Sequence, residues 1–366
     1  MAIFTVPSDF KKESVKKFIE MNENLEIKAT EFYGSIRTSK IGSGRKFLEL
    51  ENVELEQLKE YVQYCNRNGI KFNYTLNVSC NSDNEFTKEG KQELIDEITK
   101  LVNIGIKDFT VVLPSIISIF NEEFPDVDIT LSIIAGVDTV SKMKYFCEYE
   151  NIKNIYIHEK LYRQTKLMKE LIDVAHKYNK KVGMIVNSIC LSDCPFRDFH
   201  YAYVSHASKE KNCVIPEYYG TLCALEKIKD KRNVLSASWV RPDDLKFYID
   251  LGIDRFKISG REMFANKANM HRVVEVFNKG EFEGNLIELF MCFTKCAYSE
   301  IFDIQNNKAV GNYITSILNE KIECHQNGCN NCNNCKEVLK EIKMNEANKA
   351  KWMKVYTERL RKFREL

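Results

Sequence analysis

Lys181-Val-Gly-Met-Ile-Val186 runs straight into Asn187-Ser-Ile-Cys190-Leu-Ser-Asp-Cys194-Pro195-Phe-Arg197-Asp-Phe-His200, and the stretch continues through His206 and Cys213 to Cys223. An apolar run of strand length followed at once by polar and sulfur side chains reads as a buried parallel strand that delivers ligands at its C-terminal end. Thiolate sulfur is the donor that iron–sulfur clusters and zinc select. The stretch therefore predicts both a fold and a cofactor site.

Working outward, further strand candidates are Glu26–Tyr33, Phe72–Val78, Asp108–Leu113, Asp128–Ile134, Asn154–His158, Val234–Trp239 and Arg255–Ser259. Between them lie helical patterns at Glu54–Asn68, Lys88–Asn103, Ser115–Glu123, Val140–Tyr149, Leu161–Tyr178, Asp243–Leu251 and Asn266–Asn278. The apolar positions Leu94, Ile95, Ile98, Leu101 and Val102 recur at helical spacing, as do Leu167, Leu171, Ile172, Val174 and Ala175. Short strands alternating with helices imply parallel βαβ units. Eight candidate strands predict an α/β fold of the (β/α)8 TIM-like barrel type. An open doubly wound sheet is the competitor, but its G-x-G-x-x-G fingerprint is absent; Gly42-Ser-Gly44-Arg45 lacks the third glycine and reads as a loop. The predicted division is an N-terminal extension over 1–24, the barrel over 25–290, and a small C-terminal four-cysteine, α-helical metal-binding module over 291–366. No clean helix can be drawn between Asn187 and Val234, and a long irregular segment inside a compact domain is usually functional.

With 366 residues, 44% hydrophobic and 29% charged, the chain has the composition of an ordinary globular protein. A formal net charge of +2 gives no global basic field of the kind nucleic-acid binders carry, although a local patch could still serve RNA. Without a long apolar run or a leader-like N-terminus, the expectation is a cytoplasmic protein that engages no membrane. In a reducing compartment, thirteen cysteines call for an explanation other than disulfides. Cys65, Cys80 and Cys147 are isolated and read as small core residues, whereas ten cysteines fall between Cys190 and Cys335.

Eight of those ten form two groups. The first, Cys190-x3-Cys194-x18-Cys213-x9-Cys223, offers four thiolates; Cys213 sits in a charged stretch, and His200, Cys292 or Cys296 are the alternatives for its place. The second, Cys324-x4-Cys329-x2-Cys332-x2-Cys335, is interleaved with Asn and Gly, which tolerate the turns that wrap backbone N–H groups around sulfur. Its two-residue gaps resemble a ferredoxin loop and favour [4Fe–4S], with zinc as the alternative at this C-terminal site. Two [4Fe–4S] sites are therefore expected. Beyond Cys335 a charged amphipathic helix or helix pair is expected to pack on the metal module.

In a barrel, polar side chains at the C-terminal ends of strands face the active site. His158, Glu159, Arg241, Lys257 and Arg261 are the candidate catalytic residues on that ground, and Asn187, Arg197 and His200 the candidates for holding a cofactor.

Asn187-x2-Cys190-x3-Cys194-Pro-x-Arg197-x2-His200, then Trp239-Val-Arg241-Pro-Asp-Asp-Leu245-x2-Tyr248-x3-Gly252-Ile-Asp254-x-Phe256-Lys257-Ile-Ser-Gly260-Arg261, and Gly284-Asn285-Leu286 resemble the peptidase U32 family. The resemblance implies a modified (β/α)8 barrel. In several relatives it implies a [4Fe–4S] cluster on four barrel cysteines, serving oxygen-independent hydroxylation in ubiquinone biosynthesis or on RNA bases; other relatives are named collagenase-like proteases. Here the spacing is Cys-x3-Cys-Pro, which departs from the protease-named signature. The first expectation is thus an iron–sulfur oxidoreductase or hydroxylase acting at the barrel mouth on a small molecule, peptide or RNA. Peptidase or peptide-modifying activity is the second, although neither His-Glu-x-x-His nor Gly-x-Ser-x-Gly occurs. A non-catalytic electron-transfer subunit, with a partner protein or as a homo-oligomer, is the third.

Overall fold

The computed structural model describes all residues except 38, 210–217, 261–262, 265–266, 323, 325–332 and 366. Alternation sets the barrel. Residues at every second position of β1 (Ile3–Pro7), β2 (Lys28–Gly34), β3 (Lys71–Leu76), β4 (Asp108–Val111), β5 (Asp128–Leu131), β6 (Ile152–Tyr156), β7 (Lys181–Ile185) and β8 (Arg255–Lys257) share one face. These strands form a closed parallel barrel in which β8 pairs back onto β1, with Ile3 opposite Arg255. The (β/α)8 expectation holds.

The interior is unusually polar. Thr110 Oγ1 donates to Asn73 Oδ1 at 2.6 Å, and Thr130 Oγ1 accepts from Asn73 and Asn154 amides at 3.2 and 3.0 Å. Asn73 and Thr130 stand on non-adjacent strands, so this bond crosses the barrel's inside. Glu31 pairs with Arg255 there, and both are buried. Gly183 makes room for an aromatic ring, because a Cβ would stand 2.6 Å from Tyr156 Cε1.

Helices α1 (Lys12–Asn22), α2 (Leu55–Arg67), α3 (Lys88–Asn103), α4 (Pro114–Glu123), α5 (Val140–Cys147) and α6 (Thr165–Lys177) follow the first six strands in turn. Their apolar stripes face the barrel: α6 buries Met168, Leu171, Ile172 and Ala175, the larger ones stabilising by about 1.5–3 kcal/mol each. Caps fix their starts, as where Thr87 accepts from Gly90 N ahead of α3.

Two expectations fail, and the errors compensate in the strand count. Residues 1–24 are not an extension; they supply β1 and α1. Val234–Trp239 is not a strand but the end of α9 (Arg232–Leu235) and an irregular buried segment. Its apolarity comes from lying under the mouth, where Trp239 stacks on Phe290 at 5.4 Å.

After β7 the chain makes a long excursion through α7 (Arg197–Ala207), α8 (Tyr218–Lys229), α9 and α10 (Leu245–Leu251) before β8. Between Asn187 and Val234, where no clean helix was expected, more than half of the described residues are helical, and α10 falls where a helix was expected. Past β8 come α11 (Met270–Lys279), α12 (Leu286–Phe290), α13 (Ala297–Ile301), β9 (Phe302–Ile304), α14 (Lys308–Leu318), β10 (Ile342–Met344, antiparallel to β9) and α15 (Glu346–Arg364). The final helix packs on α8 and α13, so it braces the barrel mouth. Among the described residues, no helix is long and apolar enough to cross a membrane.

Candidate active site

A cavity of about 360 Å³ opens at the C-terminal ends of the strands. Ile133 reaches it after β5, Glu159 after β6, Ile185 to Leu191 from β7, and Ser259 after β8; the Gly44–Lys46 loop, α7, α8 and Tyr298 of α13 complete the wall. This is the face on which barrels of this kind carry their chemistry. Gly44 is required where it stands: its N–H donates to Asn77 Oδ1 at 2.9 Å, and a Cβ would meet that amide.

Cys190, Cys194 and Cys223 all line this cavity. The first two come from the loop after β7; Cys223 comes from α8. Cys190 is open to the cavity yet deep in the molecule, and that depth pushes its thiol up to about 11. Burial also raises Cys194, and the charge of Cys223 raises both. Such groups remain thiols until a cation holds them deprotonated. One turn after Cys223, Lys227 donates to Cys223 Sγ at 3.0 Å and to Tyr298 Oη at 3.5 Å, with its ammonium 4.9 Å from that ring's centre. Burial works against the Lys227 charge, but Tyr298, Cys223 and Cys190 together hold its pKa above the ordinary lysine value.

Asn187 is a staple. Its amide donates to the carbonyls of Ser259 and Phe290 at 2.9 and 3.1 Å, and its Oδ1 accepts from Ser259 N at 2.8 Å. It joins the ends of β7 and β8 and so fixes where the cysteine loop departs. Arg197, at the start of α7, pairs with Glu159 at 3.1 Å and donates to Ile133 O at 2.8 Å, with its guanidinium over the Tyr201 ring. His158 accepts from Lys160 N through Nδ1. Burial lowers its pKa to about 4, against the pull of Glu159. His200 on the cavity wall is likewise lowered to about 4 by burial, then by Lys46 and Arg45.

Other expected site residues lie elsewhere. Arg241 is bidentate to Asp244 at 2.6 and 2.7 Å, outside the cavity wall, so its charge is spent on starting α10. Lys257 points into the barrel, 3.7 Å from the centre of the Tyr33 ring, rather than across the mouth. Cys292 is buried beside Asn187 and the Ser259 carbonyl, and Cys296 caps α13. Cys324 and Cys335 both act on Tyr313 of α14, away from the cavity. Cys213, Arg261, Cys329 and Cys332 lie outside the described residues. Sequence reading missed Lys227, Tyr298, Tyr201 and Arg45. Lys227 was within reach, since its spacing of four from Cys223 puts both on one helix face.

Among the described residues, no three His, Cys, Asp or Glu side chains close on a point that a single metal ion would occupy. Four thiolates on one zinc stand only about 4 Å apart. Cysteines spread around a shared cavity suit a larger group, and the donor set fits it: soft sulfur on the walls and a buried ammonium hydrogen-bonded to one of the sulfurs.

The model of peptidase family U32 matches residues 43–165, the run from the Gly44 loop through His158 and Glu159, which stops short of the two cysteine groups. The uncharacterized protease MJ1657 of Methanocaldococcus jannaschii is 27% identical over 291 residues, covering 78% of this chain and 84% of that protein. The structure of the U32 peptidase Mk0906 shares the fold with a TM-score of 0.51 at 15% identity, over 70% of this chain and 92% of the other. The family model and the relative agree in what this chain resembles, peptidase family U32, and the solved structure shares its barrel fold.

Proposed function

We propose that the chain is an iron–sulfur enzyme of the oxidoreductase or oxygen-independent hydroxylase type, working at the barrel mouth. The observation that carries this is that Cys190, Cys194 and Cys223 all line one cavity, which the buried Lys227 lines too. These three cysteines would hold a [4Fe–4S] cluster, with Cys213 or His200 as the fourth ligand. Such a group supplies one-electron chemistry when bound. Around it the chain does the rest. The Arg197–Glu159 pair fixes one wall, Asn187 fixes the departure of the cysteine loop, and Arg45, next to the Lys46–Glu49 ion pair, adds a guanidinium to the lining suited to an anionic small molecule or a nucleic-acid phosphate. The cysteine group at 324–335 would hold a second cluster, or zinc, beside Tyr313.

Peptidase activity is the second reading, favoured by the name of the relative. The His158–Glu159 pair is its best apparatus, but Arg197 holds the carboxylate and a backbone N–H occupies His158 Nδ1. The deciding experiment is anaerobic reconstitution with iron and sulfide, measuring metal and acid-labile sulfide in the wild type, Cys190→Ala and Cys329→Ala. Two independent losses are expected. Zinc uptake without a sulfur-to-iron charge-transfer band would sink the iron–sulfur reading. Peptide cleavage that survives Cys190→Ser but not Glu159→Gln would establish the peptidase.

A further inference from the structure

Lys227 is a lysine where lysines are rarely found. Its side chain is 2% exposed, and its ammonium meets a cysteine sulfur and a phenol oxygen. Neither acceptor in its neutral form balances a charge. Among the described residues no carboxylate stands within ion-pair distance of Nζ, and Glu159 on the same cavity wall is already engaged by Arg197. A buried ammonium is tolerated when a counter-charge accompanies it. Among the described residues, the groups in contact with Nζ that can carry such a charge lie on the cavity side, at the cysteine sulfur.

The helix explains how the lysine is held there. Cys223 and Lys227 are four residues apart on α8, so they share a face directed at the cavity. Tyr298 of α13 closes over the ammonium, and α15 packs behind both helices. Three segments distant in sequence thus converge on one N–H···S contact.

We propose that Lys227 is the built-in counter-charge of the mouth site, donating to the Cys223 ligand sulfur and stabilising the reduced state of the metal group bound there. This rests on the iron–sulfur reading above. Hydrogen bonds to ligand sulfur and the net charge nearby are among the factors that set a cluster's reduction potential. A positive donor favours the state with the additional electron. A charge-assisted hydrogen bond is worth at least about tenfold in an equilibrium of this kind.

The test is a mediated redox titration of the anaerobically loaded full chain, followed by visible and electron paramagnetic resonance spectra. The component missing from Cys190→Ala identifies the mouth site. In Lys227→Met, iron and sulfide content should be retained, while the ratio of reduced to oxidised group at the wild-type midpoint falls about tenfold. Lys227→Arg, which keeps the charge and the donors, should restore most of that ratio. Loss of iron in Lys227→Met but not in Lys227→Arg would equally support the assignment, because the charge is then needed to hold the group. A fully loaded Lys227→Met with an unchanged midpoint overturns the proposal, as does equal iron loss in Lys227→Met, Lys227→Gln and Lys227→Arg. A wild-type chain that takes up neither iron nor sulfide at the mouth refutes the iron–sulfur reading instead.

Discussion

The two cysteine groups differ in what surrounds them. Those at the barrel mouth come from separate elements, the β7 loop and α8, and share their cavity with a buried lysine, an arginine–glutamate pair and a histidine. Those at 324–335 come from one short segment, and the two described members stand against Tyr313 on the buried face of α14, away from the mouth cavity. Ligands brought together by a fold are positioned by the fold, whereas ligands clustered in sequence organise a loop by themselves. On the proposed reading, the contrast assigns the mouth group to chemistry at the cavity and the second group to structure or electron supply.

The largest test of that contrast is metal occupancy. Cys223→Ala should abolish iron and sulfide at the mouth while leaving the C-terminal site loaded; Cys335→Ala should do the reverse. A single cysteine change that empties both sites, measured by metal analysis after anaerobic purification, would dissolve the distinction. Next in size is the ion pair that frames the mouth. Glu159 is buried and Arg197 largely so, with side chains 3% and 11% exposed, so Arg197→Leu leaves a buried carboxylate unpaired and should cost about 3–5 kcal/mol in denaturant unfolding. Glu159→Gln together with Arg197→Leu should recover much of that loss, since no unpaired charge then remains.

A third test uses protons. Burial holds His158 at about 4, below its ordinary value of 6.5. The folded chain therefore keeps His158 neutral while the unfolded chain begins to take up a proton below pH 6.5. Stability from this residue is complete above pH 6.5 and is lost as pH falls to about 4, by roughly 3 kcal/mol in all. Asp108, raised by burial to about 6, works in the opposite sense in this range, so the comparison must be between wild type and His158→Gln. Unfolding free energies that converge for the two proteins toward pH 4 are expected; parallel curves would contradict the burial argument.

How much of this was legible before the structure depends on what each signal measures. Helical periodicity reports one-sided burial, and it located α2 through α6 within a few residues. Strand signals report burial alone. That is why Val234–Trp239, apolar because it lies beneath Phe290, read as a strand, while Ile3–Pro7 was left out. Cysteine spacing pointed to Cys190, Cys194 and Cys223, which do share a cavity. Charge at strand ends was a weaker guide, since Arg241 serves Asp244 and Lys257 turns inward to Tyr33. Lys227 was missed because its spacing of four from Cys223 has meaning only on a helix, and α8 itself had gone unread.

The smallest effect concerns the last helix, which ties the mouth to the C-terminal segment. Trp352 of α15 donates through Nε1 to Glu300 Oε2 at 2.8 Å, and Lys351 reaches the same carboxylate at 3.0 Å. Glu300 belongs to α13, the helix that carries Tyr298 over Lys227. Trp352→Phe removes one half-exposed hydrogen bond and keeps most of the packing, so global stability should fall by only about 1 kcal/mol. Its local consequence is more telling. If α15 braces α8 and α13 as a unit, amide hydrogen exchange in Tyr218–Lys229 and Ala297–Ile301 should quicken together, while β1 to β6 stay unchanged. Exchange that quickens in α15 alone would show that Cys223 and Lys227 are held by the barrel, and that the C-terminal segment is merely laid against them.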